Sequence, residues 1–118
     1  MNQIDKARFI FDYDAPWLGY GPEGKTVSSG HKQVKVRFTH GLAWVDEGLA
    51  NVLLAMNAVG AKPLWSCQAQ YVSFESEECL RRVLNTWPDL KVFVERFGAH
   101  VLRWKPRQLP LIKKVMGF

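Results

Sequence analysis

Gln33-Val34-Lys35-Val36-Arg37-Phe38-Thr39, followed by His40-Gly41-Leu42-Ala43-Trp44-Val45-Asp46, is the stretch on which the fold turns. Its first half has a period of two: Val34, Val36 and Phe38 share one face, and Gln33, Lys35, Arg37 and Thr39 share the other. That pattern predicts a strand buried on one side only. From Leu42 the period lengthens. Leu42, Val45, Leu49, Val52, Leu53, Met56 and Val59 recur at spacings of three and four, which predicts a helix over 42–59. Asp46 and Glu47 lie toward its positive end, and Gly60 supplies the stop.

Downstream, Pro63 permits only an edge or a strand start, so Leu64–Cys67 reads as a short strand. It turns near Gln68 or Ala69 into a second strand, Tyr71–Phe74. Ser76 is placed to cap a helix whose apolar face is Cys79, Leu80, Val83, Leu84 and Trp87. Pro88 breaks or restarts that helix, and Leu90, Phe93, Val94 and Phe97 continue its apolar period to Gly98. A last strand is expected over 100–105, with His100, Leu102 and Trp104 inward and Val101, Arg103 and Lys105 outward. Upstream, Ala7–Tyr13 is aromatic and β-branched enough for an extra N-terminal strand. Residues 14–32, with Pro16, Gly19, Gly21, Pro22, Gly24 and Gly30, read as a long loop. From residue 33 the order is strand, helix, strand, strand, helix, strand. The expected fold class is α+β, a ferredoxin-like βαββαβ sandwich over about 33–105 whose two helices cover one sheet face and leave the other open.

The 118 residues, 47% of them hydrophobic, suffice for one packed domain, 1–118, and exclude intrinsic disorder as an overall description. No stretch reaches the roughly 20 apolar residues of a membrane span, and Met1-Asn2-Gln3-Ile4-Asp5-Lys6 lacks the pattern of a secretory signal. No membrane partner is expected, and the expected location is cytoplasmic. Residues 1–102 hold equal numbers of acidic and basic side chains. The formal charge of +5 therefore resides in Arg103, Lys105, Arg107, Lys113 and Lys114, and residues 106–118 read as a basic tail. Such an end attracts polyanions or an acidic partner by a salt-sensitive force.

Three sets of residues invite a chemical reading. Gly19-Tyr20-Gly21-Pro22-Glu23-Gly24-Lys25-Thr26 fits the phosphate-cradling pattern G-x-x-x-x-G-K-[ST]. Val27-Ser28-Ser29-Gly30 is a poor helix opening behind it, and Pro22 removes one N–H from the cradle, so a Gly/Pro loop accounts for the same letters. Cys67, Cys79, His31, His40 and His100 have no metal-ligand spacing, so no metal and no cofactor are expected. Cys79 reads as a core residue, and Cys67 would be a nucleophile only if a histidine met it in space. Trp17 and Tyr20, in the glycine-rich loop, are candidates for a protein interface.

Tyr71-Val72-Ser73-Phe74 leading into Glu75-Ser76-Glu77-Glu78-Cys79-Leu80-Arg81-Arg82-Val83-Leu84-Asn85 resembles the third strand and second helix of an RNA recognition motif. The resemblance covers residues 71–85. Gln68, Ala69 and Gln70 replace that family's upstream glycine and stacking aromatic. A second likeness, Gly60-Ala61-Lys62-Pro63-Leu64-Trp65-Ser66-Cys67-Gln68 with the strand to Phe74, is similar to a Ser-Cys-Gln-Gly turn in small bacterial and phage proteins. It is more distantly similar to the Ser-Cys-Ser-Gly turn of wybutosine-synthesis tRNA methyltransferases, whose glycine is Ala69 here. The first resemblance implies an open sheet face that meets RNA. On this sequence that face would carry Tyr71 among Lys35, Arg37, Arg103 and Lys105, with Arg107 beyond them. The sequence thus favours a non-catalytic module that binds RNA or DNA. A small protein-interaction or inhibitor protein, such as a phage product that blocks a host machine, is the alternative. A nucleotide-binding enzyme built on Gly19–Thr26 is a third, and small-molecule binding is otherwise not expected.

Overall fold

The computed structural model describes residues 4–5, 33–67 and 70–118. It is an α+β structure of two antiparallel sheets and three helices around one shared core. The expected strand Ala7–Tyr13, the loop 14–32, and the turn at Gln68 and Ala69 lie outside the described residues.

The first sheet has the order β1 (Ile4–Asp5), β2 (Gln33–Phe38), β3 (Gly41–Asp46). The alternating strand is where its pattern places it, and Val34, Val36 and Phe38 are buried. The helix expected from Leu42 is not. Residues 41–46 instead fold back on β2 in full register, from Phe38 opposite Gly41 to Gln33 opposite Asp46. Only Thr39 and His40 separate the two strands, and Gly41 has a φ of 148°. The helical spacing of Leu42 and Val45 misleads because β3 is buried on both faces. Such a strand reads as a continuous apolar run, which periodicity cannot tell from a helix. Helix α1 is thus confined to Ala50–Ala58, after a 3₁₀ turn at Glu47–Leu49. Gly60 ends the segment as expected: its N–H bonds Asn57 O at 3.0 Å, and that of Ala61 bonds Met56 O at 3.1 Å. Gly60 adopts φ +95°, where a side chain would be strained.

The second sheet is β4 (Pro63–Cys67), β5 (Tyr71–Phe74), β7 (Val101–Arg103) and β6 (Glu95–Phe97), in that order. Helix α2 (Glu77–Thr86) begins at Ser76, whose Oγ accepts from the Cys79 N–H at 3.3 Å. Its buried face is Cys79, Leu80 and Val83, with Leu84 and Trp87 packed beside it. Pro88 starts a 3₁₀ turn (Pro88–Val92), but the helical period does not continue to Gly98. Residues 95–97 are instead an edge strand, so Phe97 projects at 56% exposure. Leu102 in β7 and Trp104 just after it are buried as expected, whereas His100 lies in the β6–β7 connection and is exposed.

These pairings replace the single ferredoxin-like sheet. A split βαβ would set residues 33–39 beside the strand at 71–74, antiparallel to it and in the same sheet. Here β2 pairs with β1 and β3, while β5 pairs antiparallel with β4 and β7. Nor are residues 106–118 a solvated tail. After a 3₁₀ turn at Pro106–Gln108 they form α3 (Leu109–Val115), and Leu109, Ile112 and Met116 join the core.

Asn57, at 5% exposure, ties the hairpin to the helix. Its Oδ1 accepts from Thr39 N–H at 3.0 Å, and its Nδ2 donates to Thr39 Oγ1 at 3.0 Å and Ala61 O at 2.9 Å. Beside it, His40 Nε2 donates to Pro63 O at 2.7 Å, joining the hairpin turn to the start of β4. Removing the amide strands the Thr39 N–H and the Ala61 carbonyl. Asn57→Ala is therefore expected to cost about 3 kcal/mol, read from urea unfolding. Ile112→Ala is expected to cost about 2–4 kcal/mol in the same measurement, because it opens a cavity under α3. A loose tail would show no loss.

Candidate nucleic-acid interface

The sequence-predicted basic residues divide between the two sheets. Lys35 does not face solvent: it is 4% exposed on β2, on a face where Leu42 and Asp46 are also buried. Arg37, on the same face, is half-buried. On this face of β2 and β3, Lys35, Leu42 and Asp46 are buried and Gln33, Arg37 and Trp44 half-buried, so the expected open row of cations is absent there. Trp17, Tyr20 and the Gly19–Thr26 loop lie outside the described residues.

On the second sheet the expectation holds in part. Tyr71 stands directly opposite Arg103, which in turn stands opposite Glu95, and Ser73, Val101 and Phe97 form the next row. Trp65 is opposite Ser73. Because opposed residues of neighbouring strands share a face, Trp65, Tyr71, Arg103, Glu95 and Phe97 all lie on the side away from Val72, Phe74 and Leu102. Those three fill the core. On the outward side, Trp65 is 37% exposed, Phe97 56%, and Tyr71 is half-buried. Lys105 and Arg107, both exposed, follow Arg103 at the end of β7. The face therefore combines three rings with a run of cations.

Its centre is Arg103. The guanidinium carbon sits 4.3 Å from the centroid of the Phe97 ring, within cation–π range, and Nε pairs with the Glu95 carboxylate. Beside it opens a hollow of about 450 Å³ lined by Tyr71, Phe97, Val101 and Arg103, with Gln70 and Trp104 at its end. A second hollow of similar size lies past Glu95 toward Lys105 and Gln108. β7 is held from both ends against β5: Phe74 N–H bonds His100 O at 2.9 Å, and Trp104 N–H bonds Gln70 O at 2.7 Å. Edge strand β6 is further secured by the Arg96–Glu77 ion pair at 2.8 Å, on the helix side.

Phe97 and Trp65 were absent from the sequence-predicted set. Phe97 was hidden by the helical reading of 90–97, although Glu95-Arg96-Phe97 before Gly98 is also a strand and turn. Trp65 was recoverable from alternation within Leu64–Cys67. Elsewhere, Cys79 is a free, buried thiol, as its helical position predicts. Among the described residues no group of three or more His, Cys, Asp or Glu side chains could hold a metal ion, and no helix is long and apolar enough to cross a membrane. No family model, curated protein or solved structure matches the chain.

The different settings of the two cations separate their roles in solution. Lys35→Ala is expected to lower stability by about 1–3 kcal/mol through loss of its buried stem and polar contacts. Arg103→Ala, at the surface, is expected to stay within about 0.5 kcal/mol of the wild type. Thermal unfolding of both variants checks the contrast.

Proposed function

We propose that this chain is a non-catalytic module that binds single-stranded RNA or DNA on the outward face of its second sheet. One observation carries the reading: Trp65, Tyr71 and Phe97 share that face with Arg103, with Phe97 and Trp65 exposed and Tyr71 half-buried. Exposed rings offer stacking platforms that any base can use, and cations beside them follow the phosphates. Duplexes bury their base faces, so the arrangement suits unpaired strands. Lys105 and Arg107 extend the positive run beyond β7, and Lys113 and Lys114 add to it on α3. The partial likeness of residues 71–85 to an RNA recognition motif points the same way, with the basic contribution now drawn from β7 and the chain beyond it rather than from Lys35 and Arg37.

The test is fluorescence anisotropy with labelled 12-nucleotide RNA, the same sequence as DNA, and the corresponding duplex. Single strands should bind better than duplex. If Arg103, Lys105 and Arg107 each neutralise a phosphate, log K should fall against log salt with a slope of about −2. Phe97→Ala and Tyr71→Ala should each weaken binding by about fivefold or more, as expected for one lost stacking partner. Equal affinity for duplex, or no effect of either substitution, would overturn the proposal. Recovery of one defined protein partner, with no oligonucleotide binding at low salt, would favour a protein-interaction module instead.

A further inference from the structure

We infer that the hollow between Tyr71 and Phe97 seats one nucleotide, with its base against the rings and its phosphate on Arg103, and that Glu95 is the carboxylate this phosphate displaces. The inference rests on the proposed nucleic-acid face and assigns the contacts within it.

Arg103 is the central cation of the face and is already engaged twice, with the Phe97 ring and with Glu95. Both engagements leave the guanidinium at the rim of the 450 Å³ hollow, a volume within the range of small-ligand sites. Val101 lies along it between the two aromatic side chains, and Gln70 brings an amide that can donate to and accept from a base edge. A guanidinium offers N–H donors in a planar fork that matches a phosphate, so Arg103 is the group that would hold it. Glu95 stands next to it in register, on the same face. A phosphate arriving there meets a negative charge and must take over the carboxylate's hydrogen bonds.

This geometry makes Glu95 a filter. An anion without a base gains only the exchange of one partner for another at Arg103 and must also face the carboxylate. A nucleotide gains stacking in the hollow in addition. The site is therefore matched to nucleotide units rather than to polyanions in general. Glu95 is not needed to hold its strand: β6 is hydrogen-bonded to β7 and tied to α2 through Arg96 and Glu77.

The test compares the wild type with Glu95→Gln and with Glu95→Thr, which suits an edge strand, after matching their thermal midpoints. The probes are a labelled single-stranded 12-mer and inorganic polyphosphate of equal charge as competitor. Both variants should bind the 12-mer about three- to tenfold more tightly. Polyphosphate, a poor competitor on the wild type, should compete better on both variants. If the wild type binds the 12-mer and neither variant binds it more tightly, the assignment of Glu95 fails while the nucleic-acid reading stands. If neither wild type nor variants bind the 12-mer, both fail.

Discussion

The turn between β2 and β3 lies where the hairpin of the first sheet meets α1 and the second sheet, and the Thr39 N–H, the Thr39 hydroxyl and the His40 Nε2 are answered there. Asn57 answers Thr39 through both ends of its amide and uses its remaining N–H on the carbonyl of Ala61. His40, stacked on Phe38, reaches across to Pro63. A buried polar network of this kind is costly when incomplete and specifying when complete. It fixes where β2 ends and β3 begins relative to α1, and where β4 begins. The second sheet, and with it the outward aromatic face, takes its position from that junction.

The face itself follows from the register of four short strands. β7 is central and brings Arg103 to the middle, β5 brings Tyr71 alongside, and β6 brings Glu95 and Phe97. None of these outward side chains is needed to fill the core, because Val72, Phe74 and Leu102 do that from the other side. Three partly exposed rings on one sheet face are a cost to solubility unless they are used or balanced. The Arg103 cation above Phe97 balances part of that apolar surface in the free protein.

Local signals were legible in the sequence wherever one residue type could do only one thing. Ser76 capped α2, Gly60 closed α1, and the alternation over 33–38 gave a strand in its place. Alternation alone places Tyr71 and Arg103 on the face they share in the structure. What failed depended on information held elsewhere in the chain. Lys35 reads as solvent-facing because alternation assumes one wet side, and at Lys35 the β2–β3 pair has none. Residues 42–46 fit a helical period because a strand enclosed on both sides needs apolar residues at every position. Phe97 fit that period too, and only its pairing with Val101 reveals the edge strand.

The placement of α3 separates two sets of demands within one short segment. Leu109, Ile112 and Met116 turn inward, while Arg107, Leu111 and Lys114 lie on the exposed side. Substitution can therefore rewrite the outward row, even reversing its sign, without disturbing the inward one. In descendants of this chain the affinity of that end for charged molecules is free to drift quickly while the architecture beneath it stays constant.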